Sequence, residues 1–270
     1  MILGAAMSTI LAKLSHINPI LETYQRAKVS GLRLGEILGS KAFCPDNVGH
    51  ENFRNPSGDI EFRNVAFSYI ESKPVIRNLS FRARAGRVTA IAGPTGSGKT
   101  TLVALLGRFY EPKSGEILIG GQKLEDIRLR ELRHHIGYVF QESFLFSDTI
   151  RNNIRYGRAD VSDEMLRDAA RAAHAEEFIL SLPQGYDTLI GEHGVQLSGG
   201  QKQRLAIARA LVYDPEILIL DDALSALDAS TENRVRSQLR PLLEGRTVLI
   251  IAHRSSTLDL ADDCVRLGST

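Results

Sequence analysis

The chain has 270 residues, of which 43% are hydrophobic, so it can bury a sizeable core in one large domain or two smaller ones. Its 33 lysines and arginines nearly balance 32 aspartates and glutamates, which argues against a nucleic-acid-binding groove because such a groove needs a basic excess. The two cysteines, Cys44 and Cys264, lie far apart, which excludes a disulfide framework or a zinc site and fits a reducing compartment.

Residues 1–40 begin with an apolar segment, 1–12, that Lys13 interrupts. Because roughly 20 apolar residues are needed to cross a bilayer, this segment is not a complete transmembrane helix, and it lacks the basic n-region of a signal peptide. Apolar residues continue at helical spacing up to Leu38, with Pro19 expected to kink or interrupt the helix. Two interpretations stay open: an amphipathic surface helix, or the cytoplasmic end of a membrane helix whose earlier part precedes this sequence.

Residues 41–58 are rich in proline, asparagine and glycine and show little periodicity, which predicts a linker. A compact domain is therefore expected to occupy residues 59–270. Its first segment, 59–70, alternates apolar and polar residues around Val65, which predicts a strand with a bulge. Residues 75–84 predict a second strand.

The apolar segment 87–92 predicts a buried strand, and a glycine-rich loop follows it directly. The loop matches the pattern Gly, four residues, Gly-Lys-Ser/Thr with the residues Gly93, Pro94, Thr95, Gly96, Ser97, Gly98, Lys99 and Thr100. Glycines let successive backbone N–H groups face one anion, Lys99 can reach the β- and γ-phosphates, and the Thr100 hydroxyl can ligate Mg²⁺. A helix predicted from Thr101 onward would direct its N-terminal dipole at the phosphates. These features predict a site for a nucleoside triphosphate.

Beyond the loop, predicted strands and helices alternate along the chain. The strands are 115–121, 136–140, 217–220 and 247–252. The helices are 163–180, with Ser162 as N-cap, 202–212 and 230–243, and a short helix and the start of a strand are expected at 258–267. This alternation predicts an α/β fold with a mostly parallel sheet and ligands at its carboxyl edge. An antiparallel β layer is expected to come first, and a helical insertion to occupy about residues 145–212.

Several stretches resemble the motifs of ATP-binding cassette (ABC) proteins and occur in that family's order. They are the loop 93–100, Gln141, the sequence Leu-Ser-Gly-Gly-Gln-Lys-Gln-Arg at 197–204, Ile-Leu-Ile-Leu-Asp at 217–221, Ser-Ala-Leu-Asp at 225–228, and His253. The match runs from about residue 59 to the C-terminus and looks like the nucleotide-binding domain of an exporter-type transporter. The resemblance implies a P-loop NTPase core with a parallel sheet, an N-terminal antiparallel β layer and a helical signature subdomain. Residues 1–40 are similar to the cytoplasmic end of such a transporter's last membrane helix.

The resemblance also implies ATP and Mg²⁺ as ligands and assigns roles to single residues. Tyr69 is placed like the aromatic residue that stacks on adenine, although a strand tyrosine also fits an ordinary core position. Asp221 would order Mg²⁺ and its waters, and Gln141 would touch Mg²⁺ or the attacking water. His253 resembles the histidine that hydrogen-bonds the γ-phosphate. Thr101, the first residue of the helix predicted after the loop, would also bind the nucleotide.

A second phosphate site is implied at the start of the helix predicted at 202–212. Its residues are Ser198, Gly199, Gly200 and Gln201, whose backbone N–H groups and hydroxyl favour an anion. In the family this motif binds the ATP held by the opposite subunit, so that two ATP molecules are sandwiched in a head-to-tail dimer. Asp228 would lie at the dimer contact; an exposed aspartate that starts a helix is the alternative, and the sequence does not rank the two.

One residue departs from the family pattern. The family usually places glutamate after the aspartate that ends the strand, where it orients the attacking water, but this chain has Asp222. Aspartate is shorter by one methylene, about 1.5 Å. Because a displacement of about 1 Å can cost on the order of a hundredfold in rate, we expect the site that uses Lys99 and Asp221 to hydrolyse ATP slowly. Heterodimeric exporters often pair such a subunit with one that carries the glutamate, so a heterodimer is favoured over a homodimer.

The sequence as a whole therefore predicts the ATP-hydrolysing domain of an exporter at the cytoplasmic face of the inner membrane. Its expected partners are a transmembrane domain, which residues 144–146 would face, and a second nucleotide-binding domain. Two alternatives stay open: a regulatory ATP clamp with little turnover, and a soluble ABC ATPase that does not transport. The balanced charge and the lack of a long coiled-coil insertion argue against the last.

Overall fold

A computed structural model describes residues 17–38, 49–156, 158, 160–191, 194–251 and 259–268. The chain divides into two compact units, Met1–Phe43 and Cys44–Thr270. In the first unit the described element is helix α1 (Ile17–Leu38), which carries exposed apolar side chains such as Leu21 and Tyr24. Pro19 lies near the start of the described span, and the helix continues past it to Leu38. None of the described helices is both long enough and apolar enough to cross a membrane.

The second unit contains strands from two sheets. The strands are β1 (Ile60–Phe67), β2 (Ile76–Ala83), β3 (Val88–Ala92), β4 (Ser114–Ile119), β5 (Gln122–Lys123), β6 (Ile136–Val139), β7 (Ile217–Asp221), β8 (Thr247–Ile251) and β9 (Asp263–Arg266). One sheet has the order β2-β1-β4-β5, and its neighbouring strands are antiparallel. The other has the order β6-β7-β8-β3-β9, and its neighbouring strands are parallel. Both predicted layers are thus confirmed, as is the bulge of β1, where the register shifts on either side of Val65.

The parallel sheet lies between two hydrophobic cores. Every residue of β7 and β8 is buried, which explains why both strands are continuous apolar segments. Successive side chains of a strand point to opposite faces, and the two cores divide them accordingly. Leu218 and Leu220 join the core on the side of the helical region, while Ile217 and Ile219 join the core shared with the antiparallel sheet.

The helices in the described part of the second unit are mostly short. They are α2 (Lys99–Leu106), α3 (Leu129–His134), α4 (Ile150–Arg155), α5 (Asp163–Ala172), α6 (Glu176–Ser181), α7 (Gly199–Leu211) and α8 (Ala229–Leu243). Helix α7 packs against α4, α5 and strand β6, so the region predicted as a helical insertion is helical and rests on the parallel sheet. Ser162 caps α5 as predicted, because its side chain accepts a hydrogen bond from the Met165 N–H at 3.2 Å.

Two predicted helix bounds are wrong. The helix predicted at 163–180 is two helices, α5 and α6, which separate at His174, where φ is +52°. The Arg204 guanidinium donates to the His174 carbonyl at 2.7 Å and satisfies the backbone group that the break releases. The signature helix begins at Gly199 rather than at Lys202, because Ser198 supplies an N-cap before the glycines.

The domain's packed structure begins before Asp59. Glu51 forms a parallel bridge with Ile127, and the Phe53 N–H donates to a Glu131 carboxylate oxygen at 2.8 Å. The Phe53 ring is buried and belongs to the core shared by the two sheets. Residues 50–53 of the predicted linker are therefore attached to the domain.

Candidate functional site

The loop 93–100 connects β3 to α2 and needs its glycines for two reasons. Gly96 and Gly98 have φ of +83° and +91°, a left-handed backbone conformation that strains other residues. A Cβ on Gly98 would also lie 3.2 Å from the Ile76 Cγ1 atom, so the loop passes close to the antiparallel sheet. A Cβ on Gly96 would meet nothing within 4 Å, which leaves that side of the loop open.

Lys99 is almost entirely buried, with 6% of its surface exposed, and its ammonium group is held inside the loop. It donates to the carbonyl oxygens of Gly93 at 2.8 Å and Pro94 at 2.9 Å. The Ser97 hydroxyl is buried beside it and has no hydrogen-bond partner within the described part of the chain. The unpaired buried hydroxyl suits a polar ligand, because it is costly to leave without a partner, and the buried ammonium group beside it favours a ligand that is anionic.

The strand order gathers the other predicted residues at one edge of the parallel sheet. Gln141 follows β6, Asp221 ends β7, and the loop 93–100 follows β3. His253 would follow β8, which lies between β7 and β3, but it lies outside the described residues. The carboxyl ends of neighbouring parallel strands therefore bring a carboxylate, an amide and the loop to the edge where α/β proteins bind ligands.

A cavity of about 360 Å³ opens at this edge. It is lined by Val75, Thr95, Gly96, Gly98, Lys99, Thr100, Thr101 and Gln141. Thr100 and Gln141 are exposed, whereas Asp221, at the end of β7, is 2% exposed and does not line this cavity. Hydroxyl, amide and carboxylate oxygens are the ligands that Mg²⁺ prefers, so the residues present fit this metal.

Tyr69 lies next to the loop. Its hydroxyl forms a hydrogen bond of 3.1 Å with the Thr101 Oγ1 atom, and 53% of its surface is exposed. Its ring packs edge-on against Phe67 and Tyr110, with centroids 5.0 and 5.1 Å away. Tyr110 is not among the predicted site residues; the only signal for it is its position just after α2. The arrangement leaves a half-exposed aromatic ring whose position is fixed by contacts on two sides and at its hydroxyl.

Asp222 has an unusual backbone conformation. Its φ is +49°, a left-handed value that aspartate tolerates better than most residues. Its N–H donates to the Ile251 carbonyl at 2.8 Å, at the end of β8. Its carbonyl accepts hydrogen bonds from the Ser225 N–H at 3.1 Å and hydroxyl at 2.8 Å. The half-buried Asp222 is therefore held beside Asp221 by contacts that leave its backbone little freedom.

The predicted second phosphate site forms the first turn of α7. The Ser198 hydroxyl accepts a hydrogen bond from the Gln201 N–H at 3.2 Å, and the Gln201 side chain accepts one from the Ser198 N–H at 2.9 Å. This capping box satisfies two backbone donors and fixes the helix start. The N–H groups of Gly199 and Gly200 stand in the first helical turn, where no helical acceptor is available to them, so they can serve an anion.

Asp228 caps helix α8. Its carboxylate accepts hydrogen bonds from the Ser230 N–H at 3.1 Å and the Thr231 N–H at 3.0 Å. The Ser230 hydroxyl donates to the same oxygen at 2.7 Å. Hydrogen bonds from Ser230 and Thr231 hold the pKa of the Asp228 carboxyl well below its usual value. The interpretation as a helix-starting aspartate is thus confirmed, while the role at a dimer contact stays a prediction.

Replacing Asp228 should reveal this cap through its pH dependence. We expect Asp228→Ala to lower the melting temperature at pH 7 by about 2–4 °C, the usual size of a lost cap in a domain of this length. The folded-state pKa lies below the ordinary value of 3.8, so the stabilisation is complete above about pH 5 and is lost as the pH falls. The difference from wild type should therefore narrow between pH 5 and pH 2.

The control is Asp228→Asn, since asparagine caps helices about as well as aspartate but does not titrate. It should keep the melting temperature near that of wild type at pH 7. A deficit for Asp228→Ala that keeps the same size down to pH 2 would contradict this account of the carboxylate.

Known proteins are similar to this chain. The family model described as "ABC transporter" matches residues 76–225, more than half of the chain. The chain is 47% identical over 245 residues to the uncharacterized ABC transporter ATP-binding protein YknU of Bacillus subtilis (strain 168), covering 90% of this chain and 42% of that protein. It is 51% identical over 211 residues to the ATP-dependent lipid A-core flippase of Syntrophus aciditrophicus (strain SB), covering 78% of this chain and 35% of the flippase.

A solved structure is also similar to this chain. The structure of a bacterial Atm1-family ABC exporter with ATP bound superposes with a TM-score of 0.82 at 40% identity, covering 94% of this chain and 45% of the exporter chain. The chain thus spans less than half the length of each of these three proteins.

Proposed function

This chain belongs to the ABC transporter family, and on that premise we propose that it is the ATP-binding and ATP-hydrolysing domain of an exporter. The observation that carries the proposal is the parallel sheet, whose order puts the loop 93–100, Asp221 and Gln141 at one edge. In this proposal ATP closes a head-to-tail dimer of such domains, and the closure drives a transmembrane domain to export a solute. The assembly would be an integral membrane transporter with this domain on the cytoplasmic face of the inner membrane.

The loop and the helix after it would hold the triphosphate. The N–H groups of the loop and the N-terminal dipole of α2 attract the phosphate oxygens. Lys99 would exchange its bonds to the Gly93 and Pro94 carbonyls for bonds to the β- and γ-phosphates. Tyr69 would stack on adenine, supported by the hydrogen bond that holds its hydroxyl to Thr101.

Residues around the γ-phosphate would carry the chemistry. Thr100, Asp221 and Gln141 would hold Mg²⁺, which neutralises phosphate charge when bound. Asp222 would accept a hydrogen bond from the attacking water, and His253 would donate one to the γ-phosphate. The shorter Asp222 side chain, on a backbone fixed at φ +49°, supports slow hydrolysis at this chain's own site.

The second phosphate site would serve the partner's ATP. The first turn of α7 offers the N–H groups of Gly199 and Gly200 to the γ-phosphate, and the dipole of this 13-residue helix adds to the attraction. A partner with glutamate at the position of Asp222 would then hydrolyse its ATP faster under this chain's Ser198–Gln201 turn. Heterodimerisation with such a subunit is the assembly that we favour.

An exposed aromatic surface, formed by Phe144, Phe146 and Tyr156, supports docking of the transmembrane domain. Phe144, Phe146 and Tyr156 are 66%, 45% and 55% exposed, large fractions for aromatic rings. Arg209 contacts two of them: its guanidinium donates to the Phe144 carbonyl at 2.9 Å and lies 5.0 Å from the Tyr156 ring centroid. A surface that is apolar and fixed by a half-buried cation suits a packed protein partner.

The two remaining candidates differ in what happens to bound ATP. In a regulatory clamp, the chain would hold ATP without turnover, as the shortened carboxylate at position 222 would allow. In a soluble ATPase without transport, the exposed aromatic surface would have no membrane partner to meet. The balanced charge of the chain argues against nucleic acid as that other partner.

The nucleotide retained by the dimer tests the proposal. The chain is incubated with ATP and Mg²⁺, separated from free nucleotide at successive times, and its ATP and ADP are counted per dimer. We expect ATP to be bound at first and to convert slowly into ADP. ATP that persists unchanged would favour the clamp, and a chain that binds no ATP would contradict the proposed function altogether.

A further inference from the structure

Gln203 connects the signature helix to the loop that begins at Asp222. Its side chain lies in α7, is 1% exposed, and uses both ends of its carboxamide. The Nε2 group donates to the Asp222 carbonyl at 3.2 Å, and the Oε1 atom accepts from the Ala226 N–H at 3.1 Å. A buried carboxamide that is satisfied at both ends fixes the two segments that it joins, because breaking either bond leaves a polar group unpaired.

The connected loop, residues 222–228, begins at the proposed catalytic carboxylate. With Gln203, three donors converge on the Asp222 carbonyl, since the Ser225 N–H and hydroxyl donate to it as well. These bonds stabilise the left-handed conformation of Asp222 and so fix the backbone from which its carboxylate projects. A side chain of α7 thereby helps to orient a residue of the loop 93–100 site.

The same loop also supports the proposed second phosphate site. A Cβ on Gly200 would lie 3.2 Å from the Leu227 Cδ2 atom and 3.4 Å from the Ala226 carbonyl oxygen, and a Cβ on Gly199 would lie 3.6 Å from the Ala226 Cβ atom. The signature glycines therefore pack directly on the middle of the loop. Any shift of the first turn of α7 must displace the loop, and the loop starts at Asp222.

We propose that Gln203 is a positioning residue that keeps the first turn of α7 and the Asp222 carboxylate in a fixed relation. The two nucleotide sites of one chain, its own and the one it offers to its partner, then respond to ATP as one unit. This inference rests on the proposed function, in which Asp222 acts on the chain's own ATP and Ser198 to Gln201 on the partner's. Loss of Gln203 should misplace Asp222 without removing any group that touches ATP.

The test is Gln203→Met in the full chain. Methionine has a similar shape, but it has no hydrogen-bond donor and its sulfur is only a weak acceptor. We expect kcat for ATP hydrolysis to fall by about tenfold or more, because misplacement of about 1 Å costs up to a hundredfold. KM and the equilibrium Kd for ATP should stay within about twofold. Gln203→Glu keeps an acceptor for the Ala226 N–H but loses the donor to the Asp222 carbonyl, so its kcat should fall as well.

Gln184→Met is the matched control, because Gln184 is exposed and lies outside both phosphate sites. It should leave kcat, KM and the melting temperature unchanged. A Gln203→Met protein with the kcat of wild type overturns the inference alone. A wild-type chain that binds no ATP overturns the proposed function, and the inference falls with it.

A measurement on wild type decides the matter if both Gln203 variants fail to fold. The Ala226 amide belongs to an exposed residue but donates to Gln203, so its hydrogen exchange should be slow. Binding of ATP with Mg²⁺ should change that rate by at least about fivefold, because the loop responds to the nucleotide. An exchange rate that ATP leaves unchanged overturns the inference.

Discussion

Replacing Lys99 with methionine is expected to reduce ATP hydrolysis by about 10²–10³-fold, the usual cost of removing one donor that stabilises a developing anion. The ammonium group is buried and points into the loop. Residues 93–100 contain no second lysine or arginine that could substitute for it. ATP affinity should fall by about tenfold or more, since a hydrogen bond to a charged group contributes about 1.5–3 kcal/mol. Steady-state hydrolysis and equilibrium binding of ATP measure the two effects.

The matched control is Lys113→Met, the same exchange at an exposed lysine outside the site. Both proteins should be checked for melting temperature, because Lys99 also binds the loop's own carbonyls at Gly93 and Pro94. Methionine fills the same space, so the fold should survive. A Lys99→Met protein that hydrolyses ATP within about threefold of wild type would mean that the loop 93–100 is not the site of the reaction.

Replacing Asp222 with glutamate is expected to raise kcat by about 10- to 100-fold. The added methylene would bring the carboxylate about 1.5 Å nearer to the γ-phosphate, and rates of this kind depend on position at the ångström scale. Asp222→Asn should lower the rate instead, because it keeps the length but removes the charge that polarises water. Pre-steady-state and steady-state hydrolysis of ATP by the three proteins would be compared.

The gain in kcat of Asp222→Glu should come with a small loss in the free energy of unfolding. Asp222 has φ of +49°, and a left-handed backbone costs residues other than glycine, asparagine and aspartate about 1–2 kcal/mol. Asp214→Glu is a matched control, since exposed Asp214 has φ of +51° and lies outside the site. The two variants should lose similar stability, but only Asp222→Glu should hydrolyse faster. If Asp222→Glu shows no gain at all, the shortened carboxylate does not limit the reaction.

The central strands could be predicted because their environment is uniform. Strands β3, β7 and β8 are covered on both faces, so their sequences are continuous apolar segments that few other structures require. The loop 93–100 could be recognised as a candidate phosphate site as well, because the pattern Gly, four residues, Gly-Lys-Ser/Thr specifies half of its eight positions. The family that these motifs indicated is confirmed by the family model and by the relatives.

The break between α5 and α6 could not be predicted from local pattern. The sequence there is rich in alanine, a strong helix former, and contains neither glycine nor proline. The break depends on burial of Ala173 and Ala175 and on the Arg204 guanidinium at the His174 carbonyl. Such contacts come from residues about thirty positions apart, and single-segment propensity carries no information about them.

The residues of the candidate site differ in the same respect, since some could be found from the sequence and others could not. The residues proposed to bind phosphate in the loop 93–100 are contiguous, so a sequence pattern alone can single them out. The contacts of Gln203 with Asp222 and Ala226, and of Tyr69 with Tyr110 and Thr101, join distant segments and become visible only in the fold. The left-handed conformation of Asp222 also has no sequence signal, since aspartate occurs in many backbone conformations.

The strand β7 lies between two cores, and this limits how the chain can change by mutation. A smaller side chain at Leu218 would open a cavity toward the helical region, and one at Ile219 would open a cavity toward the antiparallel sheet. No position between Ile217 and Leu220 is therefore spared by facing solvent. The strand that ends at Asp221 should accumulate substitutions more slowly than either layer around it, so the two layers can diversify while this edge of the sheet keeps its place.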